Sequence, residues 1–77
     1  MQDENIKLLT GEILEYLDFH PNAADTLEGI TRWWVTKLLY QRSKTQVNEA
    51  LKILVESNQI DCINNSNNQM VYRKHRT

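Results

Sequence analysis

The sequence is poor in the residues that catalysis, cross-linking and metal binding need. It has one cysteine, one proline, two glycines and two histidines in 77 residues. The lone Cys62 excludes an internal disulfide, and nothing around it has the spacing of a thiol metal site. No Ser-His-acid set and no cluster with metal-ligand spacing can be picked out. Without a glycine-rich stretch there is no phosphate-cradling loop. Enzyme activity, a cofactor and a resident metal are therefore not expected. No apolar run approaches the roughly 18 residues of a membrane span, and the N-terminus has no basic-then-apolar leader. The expected setting is soluble, reducing and cytoplasmic, with no membrane partner.

A chain of this length is expected to form one domain, over residues 1–77, and to bury about 60–65% of its unfolded surface. The net charge of −1 conceals a strong segregation. Through Glu28 there are seven acids (Asp3, Glu4, Glu12, Glu15, Asp18, Asp25, Glu28) against Lys7, a net of −6. From Gly29 onward there are eight bases against Glu49, Glu56 and Asp61, a net of +5. Such asymmetry fits one face meeting a polyanion. It fits equally well two oppositely charged halves attracting each other within the fold.

Apolar periodicity predicts three helices. Ile6, Leu9, Ile13, Leu14 and Leu17 recur at three- and four-residue spacing over about 4–19, with Glu12, Glu15 and Asp18 on the solvent side. His20-Pro21 ends this helix, since the residue before proline avoids the α region. Asn22 and the alanines after it continue the break. Asp25-x-x-Glu28 resembles a capping box, with Thr26 as the alternative cap, and starts a second helix over about 26–38. Its apolar positions are Leu27, Ile30, one of Trp33 and Trp34, and Leu38. Gly29 within it costs about 1 kcal/mol against Ala, which suggests close approach of another helix. A short strand over Val35–Tyr40 competes with the end of this helix. Ser43-x-x-Gln46 is a second capping box and opens a third helix over about 44–57. Its apolar stripe is Val47, Ala50, Leu51, Leu54 and Val55, and Asn58 is a left-handed stop. Thr45, Asn48, Glu49, Lys52 and Glu56 project from its other side.

Alternation then predicts a two-stranded hairpin over about 60–73, with Ile60 and Cys62 on one face and Met70 and Tyr72 across from them. Asn64 to Asn68 form its loop, because Asn tolerates positive φ. The expected architecture is α+β: three helices followed by a two-stranded β-hairpin.

The stretch "SKTQVNEALKILVESNQIDCINNSNNQMVYRK" resembles the end of winged helix-turn-helix domains of the prokaryotic transcriptional-regulator type. It carries Val47, Ala50, Leu51, Leu54 and Ile60 where that family has "VxxALxxLxxxGxI", with Asn58 in place of Gly, and the wing ends in Tyr72-Arg73. The resemblance covers roughly residues 5–74. Separately, "HPNAADTLEGITRWWV" is similar to a small uncharacterised bacterial family with a "DTxEGIxxWW" signature.

The winged-helix resemblance implies a non-enzymatic DNA-binding module, of the kind that regulates transcription, with the third helix in the major groove of double-stranded DNA. Carried over residue by residue, it makes Lys44, Thr45, Asn48 and Lys52 the recognition positions. Asn48 would meet adenine edges, and the lysines phosphate or guanine. Arg42, Arg73, Lys74 and Arg76 would hold the backbone. Glu49, Glu56 and an uncharged wing tip depart from that pattern. They favour the alternative, a winged-helix protein-interaction module that binds no DNA. The chain would act as a monomer or a weak homodimer through the first helix.

Several residues carry two readings. Adjacent helical positions point about 100° apart, so Trp33 and Trp34 cannot share one core. One is expected in the core. The other is expected to pack on the hairpin or first helix, the alternative being an exposed partner-binding anchor. The run "NNSNN" is expected to be a turn before it is a ligand contact. Cys62 is expected as a small core residue rather than a redox sensor. His20 reads as a turn residue and His75 as tail.

Overall fold

The computed structural model describes residues 4–35 and 43–75. Helix α1 runs over Glu4–Phe19. Its buried residues include Leu9, Ile13 and Leu17, with Ile6 and Leu14 packed at the margin, so the three- and four-residue spacing seen in the sequence becomes the core-facing stripe. One acid of the supposed solvent side is not there: Glu12 is 8% exposed. It lies immediately before the core position Ile13 and lines a groove with the aromatic side chains described below.

The chain after Pro21 does more than break. Ala24–Asp25 forms a short strand, β1. The sheet therefore has three strands, not the two of the expected hairpin. β2 (Ile60–Asn64) and β3 (Met70–Lys74) are antiparallel, and β1 adds to the free edge of β3, giving the order β1-β3-β2. Arg73 of the central strand lies between Ala24 and Asp61, and Tyr72 between Asp25 and Cys62. A two-residue strand has no alternation to read. It exists because β3 offers unpaired backbone groups that an adjacent segment can satisfy.

Helix α2 opens at Thr26, whose Oγ1 accepts from the Gly29 N–H at 3.3 Å. Thr26 is thus the cap. Asp25 instead accepts from the Thr26 N–H through Oδ1 at 2.8 Å. That position also explains Gly29. A Cβ there would collide with the Asp25 carboxylate rather than with a neighbouring helix. Glu28, the other member of the presumed box, reaches forward to Arg32 at 3.5 Å, both side chains being exposed. Such a pair adds little stability.

The α-helical part of α2 is only Leu27–Gly29; it continues as a π-helical turn over Ile30–Trp34. The Val35 N–H donates to the Ile30 carbonyl at 3.3 Å, the five-residue reach of a π turn. The second helix is described to Trp34, and its expected extension to Leu38, like the competing strand over Val35–Tyr40, falls largely outside the described residues. The two tryptophans at its end differ sharply in burial. Trp34 is 4% exposed, whereas Trp33 is 65% exposed. The expectation that the second tryptophan packs on the hairpin or first helix is thereby overturned.

Helix α3 spans Lys44–Glu56 and starts as its capping box implies, with Ser43 Oγ accepting from the Gln46 N–H at 3.2 Å. It ends in a Schellman motif. Asn58 has φ 61°. The Asn58 N–H donates to the Val55 carbonyl at 3.0 Å and the Gln59 N–H to the Leu54 carbonyl at 2.9 Å. Val47, Ala50, Leu51 and Leu54 meet Leu9, Ile13, Leu17, Ile30, Trp34, Val35 and Ile60 in one core. The result is a small α+β fold in which α1, the α2 turn and α3 enclose the core and Ile60 of β2 closes one end.

Candidate nucleic-acid interface and an aromatic groove

Lys44, Asn48 and Lys52 recur four residues apart, so they form one row along α3. Thr45 lies beside them. Lys44, Thr45 and Lys52 are exposed and Asn48 is half-buried. None has a core role, because Val47, Ala50, Leu51 and Leu54 occupy the inner side. Glu49 and Glu56 are exposed on the same helix. The structure thus gathers four of the expected contact residues on one outward surface, with two carboxylates at its border.

Arg73 and Lys74 are consecutive in β3 and so point to opposite faces of the sheet. Lys74 is exposed, across from Ile60. Arg73 is half-buried in the central strand, and its Nε is buried with no hydrogen-bond partner among the described residues. Arg42 and Arg76, also expected at the backbone, lie outside the described residues.

The asparagine run builds the turn. Asn65 Oδ1 accepts from the backbone N–H of Asn67 at 2.9 Å and of Gln69 at 3.0 Å. The Asn68 N–H donates to the Asn65 carbonyl at 3.1 Å, and Asn68 has φ 62°. This is a three-residue hairpin loop with a left-handed third residue. Asn64, expected in the loop, is the last residue of β2. Of the asparagine side chains, that of Asn65 holds the turn.

On the core face of the sheet, Tyr72 lies across from Cys62. Met70 lies across from Asn64 instead, at the exposed end of the hairpin. Burial raises the Tyr72 phenol above its ordinary value, and the Cys62 sulfur adds to the rise through its charge and a hydrogen bond. On the other face, His75 Nδ1 lies 2.7 Å from Asp61 Oδ1, and the His75 N–H donates to the Gln59 carbonyl at 3.3 Å. His75 is therefore tied to the sheet rather than being loose tail.

A second feature was not legible in the sequence. Glu12, Glu15, Tyr16, Phe19, His20, Trp33 and Trp34 line an open groove of 210 Å³ between α1 and the π turn. Three of its rings lie against one another. Trp34 lies nearly parallel to Tyr16, with centroids 4.6 Å apart and planes 13° apart, and His20 follows at 4.4 Å. The signal was present in the spacing Glu12, Glu15, Tyr16, Phe19, His20, which repeats at three and four residues, but nothing in it shows that Trp33 faces the same way.

Among the described residues no group of three or more His, Cys, Asp and Glu is placed to hold a metal ion, and no helix is long and apolar enough to cross a membrane. Comparison with protein-family models, with curated proteins and with solved structures finds no match for the chain.

Proposed function

We propose that the protein is a DNA-binding module of the winged helix-turn-helix kind, with α3 entering the major groove and the β2–β3 hairpin acting as the wing. The observation that carries this reading is the outward surface of α3. Lys44, Thr45, Asn48 and Lys52 lie together on a helix whose other side is fixed in the core. A helix held this way is a rigid reading head. The order helix, short strand, helix, helix, hairpin supports it, because α2 and α3 follow each other and the hairpin follows α3 directly.

The chemistry divides between positioning and reading. Lys44 and Lys52 neutralise phosphates, as does Lys74 at the end of the hairpin. The Asn48 amide has the donor and acceptor that match an adenine edge. Thr45 offers a hydroxyl and a methyl to a neighbouring base. Glu49 and Glu56 repel phosphate and so confine the docked orientation to the lysine row, which gives register at the expense of affinity.

Fluorescence anisotropy with a random-sequence duplex tests this reading. Three phosphate contacts imply that affinity falls roughly 40-fold between 50 and 200 mM salt. Lys52→Glu should weaken binding and make the salt dependence shallower by about one phosphate or more. No binding at low salt, or binding unchanged by Lys52→Glu in a variant with native circular dichroism, overturns the proposal.

A further inference from the structure

The two edges of the sheet are managed differently. At β1 the edge is two residues long, too short to template another strand. At β2 it is five residues, Ile60–Asn64, with no lysine, arginine, proline or glycine to blunt it. Its one charge, Asp61, is held by His75. The ladder fixes which backbone groups lie on this edge. The Asn65 N–H donates to the Gln69 carbonyl at 2.9 Å, and the His75 N–H to the Gln59 carbonyl at 3.3 Å. Hydrogen-bonded pairs alternate along an antiparallel ladder, so Asp61–Arg73 and Ile63–Val71 are the bonded pairs between those two. Ile60, Cys62 and Asn64 therefore turn their N–H and C=O away from β3. Those groups have no backbone hydrogen-bond partner among the described residues.

The side chains beside this edge select its occupant. Residues directly opposite each other project from the same face, so Ile63 and Val71 stand together on the face away from Ile60 and the core. Ile63 is 36% exposed. The water-facing side of an antiparallel sheet is ordinarily polar, and two β-branched side chains beside an open edge suit a further strand. A second copy of β2 supplies one that matches. With the two strands antiparallel about a dyad at Ile63, Cys62 of each copy faces Asn64 of the other, and the two exchange the hydrogen bonds that β3 leaves open. Ile63 meets Ile63 at the non-hydrogen-bonded position, where side chains approach most closely, with Val71 of each copy beside it. Asp61 faces Asn65. A dyad at Asp61 would set two carboxylates against each other, and one at Cys62 would set Ile63 against Asp61. We infer that the protein pairs with a second copy of itself along the open edge of β2, with the dyad at Ile63, to make one continuous sheet. The contact uses the same patch twice and so closes as a dimer. One strand from each copy is at the small end of specific interfaces, which makes the dimer weak and reversible. It involves neither α3 nor the aromatic groove.

The test is sedimentation equilibrium of the full chain from micromolar to millimolar concentration, in reducing buffer so that Cys62 cannot cross-link, with amide shifts followed over the same range. The expected result is a monomer–dimer equilibrium, with shifts on Ile60, Cys62 and Asn64 that grow with concentration. Ile63→Asp and Ile63→Lys, at an exposed position, should each keep native circular dichroism and weaken dimerisation about tenfold, because like charges then face each other across the dyad. Mixed in equal amounts, the two variants should recover most of the lost affinity, since opposite charges then meet. Asn64→Pro, which removes an outward N–H and no bond to β3, should weaken the dimer comparably. A chain that stays monomeric at millimolar concentration overturns the inference. So does a dimer that the folded variants leave intact, or a mixture no tighter than its components. Dimerisation lost in Trp33→Ala and kept in Ile63→Asp overturns it as well, because the copies then meet at the groove.

Discussion

Gly29 shows how a single residue changes meaning once its neighbour is placed. Its backbone is ordinary helix, with φ −64°, so alanine there should gain about 1 kcal/mol in helix propensity. The Asp25 carboxylate occupies the space of the new Cβ. To clear it, Asp25 must release the Thr26 N–H, a loss of about 0.5–2 kcal/mol. Gly29→Ala alone should therefore fall between about 0.5 kcal/mol stabilising and about 1 kcal/mol destabilising, and in an Asp25→Ala background it should stabilise by about 1 kcal/mol. Denaturant melts of the four-member cycle check this. Tyr72 makes a second residue-scale statement. Its phenol is raised first by burial and then by Cys62. The folded state thus holds the proton more tightly than the unfolded state. The associated stability is complete below about pH 10 and is lost as pH rises through the higher folded value. Tyr72→Phe should flatten the decline in melting temperature above pH 10 relative to the wild type. An equal decline in both proteins would show that Tyr72 does not govern it. The tryptophan pair marks the limit of reading residues from sequence. That both could not face one core followed from helix geometry, but which one turned outward depended on a π turn that no spacing rule reveals.

At the scale of elements, legibility tracks local chemistry. α3 was readable at both ends because Ser43 and Asn58 act on backbone groups within three or four residues of themselves. Ser43→Ala should cost about 1 kcal/mol, and Asn58→Ala about 1–2 kcal/mol for its left-handed backbone, whereas Asn58→Gly should not destabilise. The hairpin was readable for the same reason, with Asn65 doing most of the local bonding. Asn65→Ala removes the acceptor of two backbone N–H groups and should cost about 1–2 kcal/mol, while Asn67→Ser, at an exposed position that uses only its backbone, should change melting by little. β1 was not readable, since its cause is the free edge of a strand some fifty positions later. The groove was hidden likewise: it is made by two elements whose relative rotation depends on the π turn.

For the whole molecule, one core joins all the elements that position the two surfaces. A domain of this size has about 4–12 kcal/mol of net stability at 0.05–0.15 kcal/mol per residue. Leu51 is fully buried at its centre, and Leu51→Ala should cost about 2–5 kcal/mol, a large part of that total, with loss of both surfaces together. The charge segregation seen along the chain takes on a spatial reading. Glu12 and Glu15 from the acidic first half line the groove, and Lys44, Lys52 and Lys74 from the basic second half are all exposed. The most direct test of the DNA reading is amide chemical-shift mapping during titration with a random-sequence duplex at low salt. Shifts concentrated on residues 43–52 and 70–75, fading steeply as salt is added, are expected. A spectrum unchanged along α3 at saturating duplex, or shifts confined to the aromatic groove, would contradict it.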